Sequence, residues 1–121
     1  MNFFKAIFGS KNDREVKKIR PLVARINELE LGLQKLSDDD LRAKTAAWQA
    51  ELSQIEDKAE LAAKLEEILP EAFAVVKNAC RRLCGTDVIV REHPLPWQMI
   101  PFDVQLIGGY ALHTGHIAEM A

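Results

Sequence analysis

Long apolar runs are absent from this sequence. Nothing in its 121 residues approaches the roughly 18 consecutive apolar residues of a membrane span. A secretory leader is absent too, because MNFFKAIFGSKNDR has too short an apolar core and no small-residue cleavage site. Both absences predict a cytoplasmic chain. Charge of one sign is also missing: 16 basic residues against 18 acidic ones leave a formal net charge of −2. A dedicated nucleic-acid binder carries a strong basic excess, so no nucleic-acid partner is expected. Cysteine is scarce. Cys80 and Cys84 form a CxxxC pair with no second pair or suitable histidine, a poor zinc signal. With Cys80 on the apolar stripe Phe73, Val76, Cys80 and Leu83 and Cys84 beside it, the two read as small core residues in a reducing compartment.

Familiar catalytic groupings are missing as well. No Ser-His-Asp order stands out, and the histidines are only His93, His113 and His116. A predicted Thr114–Gly115 turn separates the last two, so HTGH is a weak metal motif; His113 suits the negative end of a helix instead. Asp38, Asp39 and Asp40 follow Ser37 and read as a helix start rather than a metal site. None of the six glycines belongs to a GxxxxGK[ST] phosphate loop. No metal site and no catalytic residue is expected in these 121 residues.

What is present is helical periodicity. A hydrophobic content of 48% in one domain-sized chain suffices for a core. Phe3, Phe4, Ile7 and Phe8 fall at helical spacing around Lys5, as a short amphipathic helix that docks on its own protein or lies on a membrane or partner. From Asp13 to Leu36 the stripe Val16, Ile19, Val23, Ile26, Leu29, Leu33, Leu36 predicts a long amphipathic helix, with a kink or new start near Arg20 because of Pro21. Ser37 caps a second helix through Leu41, Thr45, Trp48 and Leu52. A third covers Ala59 to Ile68, and Pro70 opens a fourth that ends at Gly85. There the character changes. TDVIVR reads as a short strand and HPLPWQMIP, with three prolines, as an extended connection. A helix from about Phe102 to His113 follows, then HIAEM, a candidate buried strand in which Glu119 is either functional or turned to water.

PFDVQLIGG raises a separate question. An amide offers a donor beside an acceptor, which matches the N7 acceptor and N6 donor on one edge of adenine. Gln105 sits behind the rigid Pro101 and the aromatic Phe102, where a base would meet an apolar wall and a fixed amide. Gly108 and Gly109 each cost a helix about 1 kcal/mol relative to alanine and are tolerable where another backbone approaches closely. An exposed polar residue on a helix is the plain alternative.

PFDVQLIGG followed by ALHTGHIAEM resembles the segment before the phosphate loop in the SecA family, the motor ATPases of bacterial protein secretion. FGSKNDR, LSDDDLRAKTAAW and LPEAFAVVKNACRRLCG are similar to the same family in the same order, so the resemblance covers nearly the whole chain. It implies a mainly α-helical piece with one or two short strands, forming the N-terminal part of an α/β, P-loop, RecA-like (DEAD-type) motor domain. Residues 1–85 would be its helical segment, and residues 86–121 the start of the first nucleotide-binding domain, with the Thr86–Gln98 stretch longer than in some members. The resemblance also implies that Gln105 contacts adenine, that Met99, Pro101 and Phe102 line the base pocket, and that the chain stops just short of the Walker A loop. ATP with magnesium, the Sec membrane channel, preproteins, acidic phospholipids and a homodimer are the implied cofactor and partners. The implied location is the cytoplasm and the cytoplasmic face of the plasma membrane. A stand-alone helical interaction module without ATPase activity is the alternative; a different helicase-like ATPase would share the glutamine logic but not the first 85 residues.

Overall fold

A computed structural model describes residues 11–118. Its elements in chain order are helices α1 (Lys11–Leu33), α2 (Asp38–Ser53) and α3 (Lys58–Leu83), strands β1 (Asp87–Val90) and β2 (His93–Pro96), and helix α4 (Asp103–His113). The chain divides into two compact units: one takes the chain up to Arg25 and from Phe102 onward, the other runs from Ile26 to Pro101. In the first, Val23, Leu106 and Gly108 are buried. In the second the apolar core is thin: Ile26, Leu33, Leu41, Leu69, Ala74 and Val75. No helix among the described residues is long and apolar enough to cross a membrane.

The expected stripe on α1 is buried or half-buried from Val16 to Leu33. The expected new start near Arg20 does not occur. Pro21 sits inside a continuous helix with its ring exposed, costing the helix one N–H while the stripe on either side holds. α2 starts as the sequence predicts. Ser37 Oγ accepts from Asp40 N at 3.1 Å, and Asp40 Oδ2 accepts from Ser37 N at 3.2 Å, a reciprocal capping box. Hydrogen bonding of its carboxylate to Ser37, the side chain first and then the backbone N–H, holds the Asp40 carboxyl below its ordinary range.

Two helices expected between Ala59 and Gly85 are one. α3 is capped by Asp57, which accepts from Glu60 N at 2.8 Å, and runs through Pro70 without a break. An interior proline costs roughly 3 kcal/mol. Continuity of the buried face across it, with Leu69 on one side and Ala74 and Val75 on the other, offsets that cost. Ion pairs on both sides of Pro70 also tie α3 to α2: Lys64 to Glu51 at 2.8 Å and Lys44 to Glu71 at 2.6 Å. Glu51, then Glu67, raises the Lys64 ammonium pKa.

The buried face of α3 is also not the expected one. Val76 and Leu83 are exposed, and the buried positions are Leu69, Ala74, Val75 and Asn78. Cys80 is half-buried and Cys84, beyond the helix end, is exposed; both are free thiols. The face is turned toward a polar partner. Glu30 on α1 is 2% exposed, and its carboxylate accepts from Arg81 Nε at 2.7 Å, Asn78 Nδ2 at 3.1 Å and Gln34 Nε2 at 3.1 Å. Arg82 extends the network, donating to Asn78 Oδ1 at 2.6 Å, to the carbonyls of Leu33 and Leu36, and to Asp38 at 2.7 Å. Lys77 donates to Asn27 at 2.6 Å. Burial pushes the Glu30 carboxyl upward, but the bonds from Arg81, Asn78 and Gln34 outweigh it and leave the pKa below the ordinary range.

α3 ends where Gly85 turns left-handed at φ 85°, and Thr86 returns both its N–H and its hydroxyl to the Leu83 carbonyl. TDVIVR holds the expected strand. The expected extended connection is a second strand in its first four residues, pairing antiparallel with β1 from Asp87↔Pro96 to Val90↔His93. The two-residue turn, Arg91 and Glu92, has φ of 49° and 69°, the mirror-image geometry that suits a hairpin. Neither residue is the Gly, Asn or Asp that signals such a turn, so the hairpin left no local mark. α4 matches the expected bounds and closes at Thr114 and Gly115 (φ 81°). Residues 116–118 form no strand, and Ile117 is 96% exposed, so the buried strand is not found there. A strand needs a hydrogen-bonding neighbour, and the two among the described residues pair with each other. Glu119 and Met120, like the stretch from Met1 to Ser10, lie outside the described residues.

Replacing Glu30 by Ala strands Arg81 and Asn78 and is expected to destabilise the chain by about 3 kcal/mol at neutral pH in urea unfolding. A carboxylate with a depressed folded pKa contributes stability above its unfolded value and loses it as pH falls through the folded one. The gap between wild type and Glu30→Ala is therefore expected to shrink with acidification below the ordinary carboxylate range.

Candidate functional site

The start of α4 poses a local problem. Phe102 is the N-cap, extended at φ −76° and ψ 162°, and its side chain has no oxygen to accept from the first turn. Pro101 before it has a fixed φ. Gln105, at the third helical position, supplies the missing half of the cap in reverse: its Oε1 accepts from Phe102 N at 2.8 Å. The backbone donor decides which amide atom faces it. Nε2 is therefore turned away and has no protein partner among the described residues. Oε1 has two lone pairs, so the cap leaves one unused.

The structure thus brings two of the four named residues, Phe102 and Gln105, into direct contact. Both are exposed, Phe102 at 72%. Met99 (exposed) and Pro101 (half-buried) belong to the other compact unit. Within that unit Met99 is held by a contact the sequence reading missed. Trp97 Nε1 donates to the Met99 carbonyl at 2.8 Å, while the Trp97 backbone pairs with Thr86 and Gly85 at the hairpin base. The signal available was an indole donor inside a segment crowded with prolines. Glu30 was also missed. It lies at helical spacing between Ile26 and Leu33, a carboxylate on a core face.

Other candidate ligands are engaged in structural work. Asp38 pairs with Arg82, Asp39 with Arg42 at 3.0 Å, and Asp40 closes the capping box. His113 lies in the last turn of α4, and His116 Nδ1 is 2.9 Å from the Thr114 hydroxyl in the turn that ends it. No His/Cys/Asp/Glu group able to hold a metal exists among the described residues. What the start of α4 offers is a flat exposed ring beside an amide with one oriented donor and one spare acceptor lone pair. That donor set fits the N6/N7 edge of adenine.

Residues 4–121 match the family described as the SecA DEAD-like domain, which places the chain in the class of DEAD-like domains. The chain belongs to the SecA DEAD-like domain family. It is 41% identical to the protein translocase subunit SecA of Chlorobium phaeobacteroides (strain BS1), an alignment covering 100% of this chain and 15% of that protein. The same identity and coverage hold for the SecA subunit of Prosthecochloris aestuarii (strain DSM 271 / SK 413). It is 42% identical to the SecA subunit of Chlamydia muridarum (strain MoPn / Nigg), over 99% of this chain and 12% of that one. The chain thus spans well under a fifth of the length of these relatives. No solved structure matches it. These relatives lend no support to a stand-alone interaction module.

The cap and the free donor are separable by substitution. Gln105→Glu keeps an acceptor for Phe102 N–H and adds a charge suited to the helix N-terminus, so stability is expected to hold or rise slightly. Gln105→Ala removes the acceptor and is expected to cost about 1 kcal/mol. Thermal unfolding of the two variants beside wild type checks both.

Proposed function

We propose that this chain is the adenine-contacting front of an ATP-driven protein translocase motor. The observation that carries the reading is the capped amide of Gln105, whose own helix start holds its acceptor in place and leaves its donor facing outward. In this reading Nε2–H donates to adenine N7 and the second lone pair of Oε1 accepts from N6. Phe102 supplies apolar surface to the base. Bound ATP with magnesium would supply the phosphoryl chemistry, driving unfolded preproteins through the Sec channel. The groups that grip the phosphates are not among these 121 residues, so the chain alone orients a base and hydrolyses nothing.

The same reading carries the remaining partners. Lys5, Lys11 and Arg14 near Phe3, Phe4, Ile7 and Phe8 suit a contact with acidic phospholipid on the cytoplasmic face of the plasma membrane. A homodimer belongs to the proposal as well.

Side-chain amide NMR tests the base contact at the millimolar affinity expected of a base held without its phosphates. ATP is expected to shift the Gln105 amide and Phe102 ring signals where CTP does not, and Gln105→Glu is expected to abolish the ATP shifts while the fold persists. Equal shifts with CTP, or shifts that survive the substitution, contradict the assignment.

A further inference from the structure

Cys80 and Cys84 are the two nucleophilic side chains that the base contact leaves unused. Both thiols are free, Cys80 half-buried and Cys84 exposed. Cys80 lies in the last turn of α3, and Cys84 is the residue that caps it. The Cys84 φ of −56° is still helical, so its Cβ stands where one more helical residue would carry it; only ψ, at 129°, turns the chain away. The two side chains therefore share one helix face, four positions apart. Cys84 Sγ donates weakly to the Cys80 carbonyl at 3.6 Å, over the turn that carries the other sulfur.

The backbone beneath them is braced. Arg81 is committed to Glu30, and Arg82 to Asn78, Asp38 and the carbonyls of Leu33 and Leu36. Past the helix end, Gly85 N donates to the Trp97 carbonyl at 3.1 Å and Thr86 returns to the Leu83 carbonyl. Spacing then decides what the pair can bind. Cβ atoms four positions apart on a helix are roughly 5–6 Å apart, whereas a disulfide needs about 3.5–4.5 Å. Direct closure would unwind the last turn against all of these bonds. A single atom bonded to both sulfurs spans the gap with the turn intact. Zinc is a poor occupant, because it takes four ligands and no His/Cys/Asp/Glu group of three or more could hold it among the described residues.

We infer that Cys80 and Cys84 form a dithiol site for trivalent arsenicals, thiophilic electrophiles that need only two sulfurs beside the substituent they carry. The reaction with an arylarsine oxide balances without redox. Each sulfur forms a bond to arsenic, the arsenic–oxygen bond breaks, and the oxygen leaves as water with the two thiol protons; arsenic stays trivalent. The exposed Cys84 reacts first and Cys80 closes the ring. That ring clasps the end of α3, so capture stiffens the helix end rather than opening it. The site uses neither Gln105 nor Phe102, so its failure and that of the adenine contact are separate results.

Phenylarsine oxide on the reduced 121-residue chain tests it, read by intact-mass spectrometry and thermal unfolding. Wild type is expected to take up one phenylarsenic group per chain, to keep it in excess glutathione, to lose it to ethanedithiol, and to unfold at a higher temperature while it is bound. In Cys84→Ser the hydroxyl can still donate to the Cys80 carbonyl, so circular dichroism is expected to stay unchanged while glutathione strips every adduct. Cys80→Ser is expected to behave alike. Because Cys84 is exposed, its variant decides the matter even if Cys80→Ser folds poorly. A wild-type adduct that glutathione removes as readily as from Cys84→Ser overturns the proposal. So does an adduct that links two chains, or one that lowers the unfolding temperature.

Discussion

A carboxylate taken out of water dictates how the larger unit is arranged. Glu30 is fully enclosed, and an unpaired charge there would cost several kcal/mol. Arg81, Asn78 and Gln34 satisfy it, and Arg82 uses Asn78 and two chain carbonyls to carry the network on to the α1–α2 connection. Apolar burial is too sparse to fix the rotation of α3 by itself. The polar contacts fix it: the helix turns Asn78 inward and leaves Val76 and Leu83 outside. Geometry of this kind specifies one packing more narrowly than greasy contact does, because each donor has one acceptor within reach.

Whatever was local in the sequence could be read from it. Ser37 with Asp40 announces a helix start through a hydrogen-bonding pattern contained in four residues, and Gly85 announces an end through its backbone freedom. Non-local compensation was illegible. Pro70 has the local character of a helix opener, and only packing across it and ion pairs to α2 make it an interior residue. The hairpin turn uses Arg91 and Glu92 where a reader looks for glycine or asparagine, so β2 passed as a connection. Glu30 escaped notice because periodicity scores apolar residues, and a buried acid has meaning only once Asn78 and Arg81, 48 and 51 residues on, are seen beside it.

The candidate site was half legible. Residue type and position marked Gln105 as an amide behind a proline and an aromatic ring, and family resemblance named its neighbours. The sequence did not disclose that Gln105 also serves its own helix. Phe102 cannot cap α4, so the glutamine does, and that structural duty removes the rotational freedom an exposed amide would otherwise have. Orienting the group before any ligand arrives lowers the entropy lost on binding. The structural and recognition readings of this residue therefore reinforce each other, with one lone pair assigned to the backbone and the rest of the amide left for a base.

The most direct measurement is a crystal structure of an intact family motor carrying these residues with ADP bound. The account predicts Gln105 Oε1 within hydrogen-bonding distance of both Phe102 N and adenine N6, with Nε2 on N7. An amide rotated off Phe102, or a base seated without touching it, would contradict the account.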